Sequence, residues 1–379
     1  ISSDIRFGGA ETKYPFTSDM MGQTLKKDYP QVEQYTRIYN SNGSKLVKKG
    51  TQFIMETRVA HADSTFFDVF SLPAIAGNTH TALYEPNTVV ITETTARKYF
   101  GSVDDAMGKI IETDDNGKTL YKVTAVIKDI PSNSHFNFDF IFSMKNVNYQ
   151  WGQYMSHNFH TYLLLKPGVT PAAFKKNFDQ YTDQYVLPEA KAYLQISSMD
   201  EFRRSGNKLE YSLTPLTDIH LYSNRPFEMS PGGNIQYVYI FSAVAIFLLL
   251  IACINFMNLT TARSANRAKE VGVRKVLGTE RKNLVTQFLS ESTLTAFISC
   301  ILALLLAFAI MPLFNSISGK TMSVLHIFTP AIIPVLVLLP FVVGLLAGSY
   351  PAFFLSSFKP IEVLKGRLIS GRSNGSLRS

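Results

Sequence analysis

The sequence predicts an α+β extracytoplasmic domain joined to an α-helical transmembrane bundle. Three observations carry this. Apolar residues make up 46% of the 379 positions, yet they are segregated. Residues 1–235 are mixed and polar, whereas 236–358 hold three long apolar stretches. Each stretch comes close to the roughly 20 apolar residues that a bilayer core requires. The positive charge lies beside these stretches. Segment 260–283 carries seven Lys/Arg against two acids, and 359–379 carries five against one. Together they exceed the whole chain's +8, so the remainder is slightly acidic. That is the positive-inside pattern of a membrane protein, not a nucleic-acid-binding face.

The first element is the extracytoplasmic domain, 1–235. NTVVITE (87–93) reads as a strand from its β-branched run. TTARKYFG (94–101) reads as a short helix closed by Gly101. YKVTAVI (121–127) alternates as a strand before Pro131, and FHTYLLL (159–165) as another, stopped by Lys166-Pro167-Gly168. Thr170-Pro171 opens a helix expected to reach Tyr185, and KLEYSLTPL (208–216) is a further strand. Ser230-Pro231-Gly232-Gly233-Asn234 reads as a hinge. The mixed order argues against a repeat.

The second element is the bundle. Spans are predicted at 236–259, within 284–314 after an amphipathic start, and at 331–355. The basic segment 260–283 and the tail 356–379 belong in the cytoplasm. The loop 315–330, with only Lys320 and His326 potentially cationic, belongs outside, and so do residues 1–235. An outside domain of that size requires an earlier translocation signal. A fourth, N-terminal span is expected upstream, with a cleaved signal peptide as the alternative. Glu291 is expected at the membrane interface. Gly344 and Gly348 form a G-x-x-x-G pair suited to close helix packing, and Pro334, Pro340 and Pro351 should kink or end helix locally. Cys253 and Cys300 read as small hydrophobes of helices.

No catalytic constellation stands out, and no cofactor or metal site is predicted. GSVDDAMGK (101–109) fails as a phosphate loop on its glycine spacing and on Ile110, and reads as a surface turn. His157 and His160 form an H-x-x-H without a third ligand at suitable spacing. Asn42-Gly43-Ser44 fits a glycosylation sequon but reads equally well as a turn.

Segment 260–283 is the most informative. On a helix, Arg263, Arg267, Glu270 and Arg274 form one charged stripe, and Ala265, Ala268, Gly272 and Val276 a small-residue stripe opposite. Glu270 lies four residues before Arg274, the favourable order for a pair. Gly278 should end the helix and Thr279 cap the next. Such a helix can pack closely on one side and meet a polar partner on the other.

RAKEVGVRKVLGTERKNLVTQFLSEST (267–293) resembles the signature of MacB/FtsX-type ABC permeases. GSYPAFFLSSFKPIEVLKG (348–366) is similar to the end of that family's last helix. STFFDVFSLPAIAGN (64–78), NTVVITETTARKYFG (87–101) and AMGKII (106–111) resemble its periplasmic core domain. The overall likeness is to large two-unit permeases of Bacteroidetes-like bacteria. The resemblance implies a non-catalytic permease of the bacterial inner membrane, its large domain in the periplasm. A cytoplasmic ABC ATPase subunit would dock on Arg263, Arg267, Glu270, Gly272, Arg274, Lys275 and Gly278. The permease would move its outside domain to export or extract an antimicrobial, peptide or lipoprotein. It implies a homodimer, or a pseudo-dimer with a second four-helix unit, with a periplasmic adaptor and an outer-membrane channel as further partners. MacB itself carries its ATPase on the same chain, whereas none is read in these 379 residues, so hydrolysis is expected on a separate subunit, or on a domain outside them. The alternatives are an FtsX-like regulator of cell-wall hydrolases, a signalling receptor, or an enzyme built on residues 1–235.

Overall fold

The computed structural model describes residues 1–40, 43–114, 117–131, 134–194, 196–262, 264–319 and 322–356, without the side chains of 264–269, 326 and 355. Asn42, Lys320, the His326 side chain and the tail from 357 onward therefore lie outside the described residues. The chain forms two compact units, Ile1–Tyr237 and Val238–Ser379.

The first unit opens with β1 (Ser2–Phe7), β2 (Ala10–Tyr14) and α1 (Met21–Asp28), then β3 (Val32–Tyr39), the hairpin β4 (Lys45–Lys49) and β5 (Gln52–Glu56), and β6 (Val59–Ala62). There follow α2 (Phe66–Val69), β7 (Ala74–Gly77), β8 (Thr88–Thr92), α3 (Glu93–Phe100), α4 (Val103–Ala106), β9 (Ile110–Asp114) and β10 (Lys118–Ile127). The unit continues with β11 (Phe140–Ser143), β12 (His160–Leu165), α5 (Pro171–Tyr181), α6 (Leu187–Leu194), α7 (Met199–Arg204), β13 (Lys208–Ser212) and α8 (Ile219–Tyr222).

Among the described residues, the strands form a 10-stranded sheet in the order β12-β3-β6-β11-β8-β10-β9-β4-β5, with β7 also on β10, and a 3-stranded sheet β13-β1-β2. The pairings β8–β10 and β6–β11 are parallel, and the remaining ones antiparallel. Every residue of β8, TVVIT, is buried, as a central strand covered on both faces requires. Val90 joins Phe66, Phe70, Ile127 and Phe136 on one face, and Val89 and Ile91 join Val123, Phe140 and Phe142 on the other. A third cluster packs α1 and α5 through Leu25, Phe174, Phe178 and Tyr181 against Tyr211 of β13. Each such buried side chain contributes roughly 1.5–3 kcal/mol.

Local signals explain several boundaries. Thr92 caps α3 through the Thr95 N–H, and Gly101 closes it at φ 88°, where a side chain would be strained. Thr170 caps α5 with Pro171 in the first turn. Three expectations need correction. The helix from Pro171 does not stop near Tyr185; it passes through a π-helical turn, Thr182–Val186, into α6. Strand β13 ends at Ser212, short of Leu216, because Pro215 has no N–H to give a ladder. Residues 103–106 are a helical turn capped by Ser102, not a plain turn.

The second unit contains α9 (Ile235–Ala262), α10 (Ser264–Val276), α11 (Arg281–Ser318) and α12 (Ile333–Ser356). Three of these are long and apolar enough to cross a membrane: Ile235–Ala262, Arg281–Ser318 and Ile333–Phe354. Helix α11 is continuous over 38 residues, so the amphipathic start and the apolar stretch belong to one helix. Pro312 lies inside α11, and Pro340 and Pro351 inside α12. Of the expected kink or end at the last two, the end does not occur, since α12 continues through both to Ser356. Cys253 and Cys300 are free thiols lining an apolar cavity of about 360 Å³ between α9, α11 and α12.

Candidate functional site

Helix α10 owes its end to Gly278. At φ 94°, Gly278 lets its own N–H reach the Lys275 carbonyl (3.1 Å) and the Thr279 N–H reach the Arg274 carbonyl (3.0 Å). These two bonds form a Schellman motif, which satisfies the last carbonyls of the helix. Thr279 thus closes α10 and does not cap α11. The position before α11 is Glu280, whose side chain makes no capping bond.

Of the stripes read from the sequence, Arg263 lies outside the described residues, as do the side chains of Ala265, Arg267 and Ala268. The rest of α10 is rotated from the expected arrangement. Val271 and Gly272 are buried, whereas Val276 is exposed. Val271 packs with Leu284 and Phe288 of α11 and Ala352 of α12. The half-buried side chains Arg274 and Lys275 flank this apolar contact and reach α11 and α12.

Arg274 pairs with Glu270 at 2.6 Å and donates through Nη1 to Gln287 Oε1 at 2.8 Å. Gln287 in turn donates to Glu291 Oε1 at 3.3 Å. Lys275 Nζ donates to the Ser356 carbonyl at 2.7 Å, and Arg281 Nε donates to Ser356 Oγ at 3.2 Å. Burial, and then the nearby Arg281 charge, lower the Lys275 pKa from its ordinary value. The basic segment is therefore fastened to the start of α11 and to the end of α12. Its outward surface carries Val273, Val276 and Leu277, the last 79% exposed.

Gly344 and Gly348 meet α11 elsewhere. A Cβ at Gly344 would lie 2.5 Å from Thr293 Cα, and one at Gly348 would lie 2.6 Å from Ser292 Oγ. Both glycines permit a backbone approach that any side chain would obstruct.

In the first unit, His157 donates through Nδ1 to the Met155 carbonyl (2.7 Å), and its Nε2 accepts from the Tyr211 hydroxyl (3.0 Å). His160 is buried with its ring 4.6 Å from Phe16. Both rings serve the packing, and burial depresses the His157 pKa to about 4. Among the described residues no three His, Cys, Asp or Glu converge as a metal site.

Gln287, Arg281 and Ser356 were not singled out from sequence. The four-residue spacing of Gln287 and Glu291 was an available signal, but nothing local ties Ser356 to α10.

Two family profiles match the chain, and together they cover well over half of it. The MacB-like periplasmic core domain matches residues 3–181 and the FtsX-like permease C-terminal matches residues 242–360. The chain belongs to the MacB/FtsX-type ABC permease family. Among relatives of the permease, the macrolide export ATP-binding/permease protein MacB of Agrobacterium fabrum is 32% identical over 123 residues. That match covers 32% of this chain and 18% of MacB, so the permease spans less than a fifth of that relative's length. YvrN, an ABC transporter permease of Bacillus subtilis, is 23% identical over 370 residues, 94% of this chain and 82% of YvrN. The crystal structure of the periplasmic region of MacB from Actinobacillus actinomycetemcomitans aligns with 48% of the permease and 82% of that region, at 13% identity and a TM-score of 0.34. The permease is a membrane protein with an N-terminal mixed-sheet domain matching the MacB-like periplasmic core and, among the described residues, three helices long and apolar enough to cross a membrane.

Proposed function

We propose that this permease passes ATP-driven motion from a separate cytoplasmic ABC ATPase to its extracytoplasmic domain, through the segment around α10. In this reading residues 260–283 lie in the cytoplasm, the membrane is the bacterial inner membrane, and ATP is hydrolysed on the partner. The chain works as a dimer or beside a second four-helix unit, with a periplasmic adaptor and an outer-membrane channel as further partners. The cargo is an antimicrobial, peptide or lipoprotein handled outside the bilayer.

One observation supports this reading most directly. Helix α10 is bonded to two membrane helices by Arg274 and Lys275, yet it presents Val273, Val276 and Leu277 to solvent. Exposed apolar residues beside a charged rim suit a protein partner, and a displacement of α10 has bonded routes into α11 and α12.

The test is a Val276→Glu/Leu277→Glu variant co-expressed with the cognate ATPase. Neither side chain supports the fold, so thermal stability should hold. Losing two apolar anchors should cut permease-stimulated ATP hydrolysis roughly tenfold or more. Stimulation at the unmodified level would refute the assignment.

A further inference from the structure

Strand β5, Gln52–Glu56, ends the large sheet, with no strand beyond it among the described residues. Its two-residue loop, Gly50-Thr51, has Gly50 at φ 61° and Thr51 at negative φ, the type II′ hairpin. The register pairs Lys49 with Gln52, Val47 with Ile54 and Lys45 with Glu56. In such a hairpin the pair next to the loop is hydrogen-bonded, and bonding alternates from there. The backbone groups of Phe53 and Met55 therefore point away from β4, along the open edge. The side chains of these two residues are also exposed, 41% and 65%. Leu46, directly opposite Met55, extends the apolar surface.

Natural sheet edges are guarded by lysine, proline or a bulge. Strand β5 has neither lysine nor proline, and its pairing with β4 runs without a register shift. Its one charge, Glu56, turns inward to Lys98 and Tyr99, 2.5 Å from each.

We propose that two copies of this chain pair β5 with β5, antiparallel, about a two-fold axis through Ile54. That register sets Phe53 against the partner's Met55 twice, with all four pairs of outward backbone groups engaged, and a thioether beside each ring. Gln52 meets the partner's Glu56, so no like charges are opposed. The two Lys48 residues, one strand in from the edge, stand three strand spacings apart and two residues out of line, about 16 Å in all. That exceeds the Debye length of about 8 Å at physiological salt. The strand is its own complement, and anchoring both copies in one bilayer raises their effective concentration, so a short edge suffices. The pairing does not depend on ATPase docking at α10.

The experiment uses the full chain in membranes, with Cys253→Ala and Cys300→Ala as background. Across the axis Ile54 opposes itself as a non-hydrogen-bonded pair, about 4.5 Å between Cα atoms, within disulfide range. Ile54→Cys should therefore give a covalent dimer on mild oxidation. Adding Phe53→Lys with Met55→Lys opposes like charges at both flanking pairs. Adding Phe53→Lys with Met55→Glu opposes opposite charges there. The cross-linked fraction should be roughly tenfold lower in the first than in the second. All these side chains lie at the edge, so both variants should fold alike. Absence of the Ile54→Cys dimer, indifference to the charge pattern, or cross-linking to a different protein would overturn the proposal. ATPase stimulation in the same variants reads the α10 assignment separately.

Discussion

Adding one methyl group at Gly344 or Gly348 tests how closely α11 and α12 are seated. At Gly344 the new Cβ would lie 2.5 Å from Thr293 Cα and 3.0 Å from Thr293 N, where ordinary contact begins near 3.4 Å. The helices must separate by about 0.9 Å to admit it, an overpacking strain of about 1–3 kcal/mol. At Gly348 the obstacles are Ser292 Oγ at 2.6 Å and Ser292 Cβ at 2.7 Å. The two sites thus differ in kind, because one is blocked by backbone and the other by a removable side chain. Gly344→Ala should lower the thermal midpoint of the detergent-purified chain by several degrees, and Thr293→Gly should not restore it. Gly348→Ala should do the same, but on a Ser292→Gly background its effect should largely vanish. The assay is a double-mutant cycle read by scanning fluorimetry and by the monodisperse fraction after heating. A Gly344→Ala protein as stable as the parent, or equal rescue at both sites, would refute the reasoning.

Two further outcomes follow from the first unit. His157 has its folded pKa near 4, below the unfolded value near 6.5, so its contribution is complete above pH 6.5 and is lost as pH falls toward 4. The loss should be on the order of 2–3 kcal/mol, one part of an acid-side fall in thermal midpoint to which His61, His135 and His160, also shifted down by burial, contribute, and His157→Gln should make that fall shallower; an unchanged pH profile in that variant would refute it. Asp63 accepts from Arg37 Nε and Nη2 at 2.9 Å each and from the Arg37 backbone N–H at 2.8 Å, with both side chains about 12% exposed. Asp63→Ala strands the guanidinium and should cost about 3–5 kcal/mol in denaturant unfolding, while Arg37→Met/Asp63→Leu should cost far less; a single-variant cost below about 1 kcal/mol would count against the buried pair.

The elements legible in the sequence were those with a dense local signal. The β-branched run of β8, the Thr92 and Gly101 ends of α3, and the Thr170-Pro171 start of α5 each follow from neighbouring residues. Strands β3, β6 and β7 were not legible, since each has a partner distant in sequence: β3 meets β12, β6 meets β11, and β7 meets β10; the β4–β5 hairpin is local but was not read either. The continuation past Tyr185 was hidden by Pro188, which the helix accepts because the π-turn ahead of it already changes the bonding pattern. At the basic segment, spacing showed which side chains share a face of α10. It could not show which face turns toward α11, a matter settled by Val271 meeting Leu284, Phe288 and Ala352. Hence Arg274 reaches Gln287 of α11 while staying about 43% exposed, and Val276, read as packing, points out.

In the proposed reading, the length of α11 would act as a lever. At 1.5 Å per residue its 38 residues extend about 57 Å, nearly twice the ~30 Å hydrocarbon thickness. Tilting the 31 residues ahead of Pro312 (281–311), about 47 Å, by about 5° would displace the far end of that segment by about 4 Å. In the proposed reading, a small tilt set on one side of the bilayer would thus become a residue-sized displacement on the other.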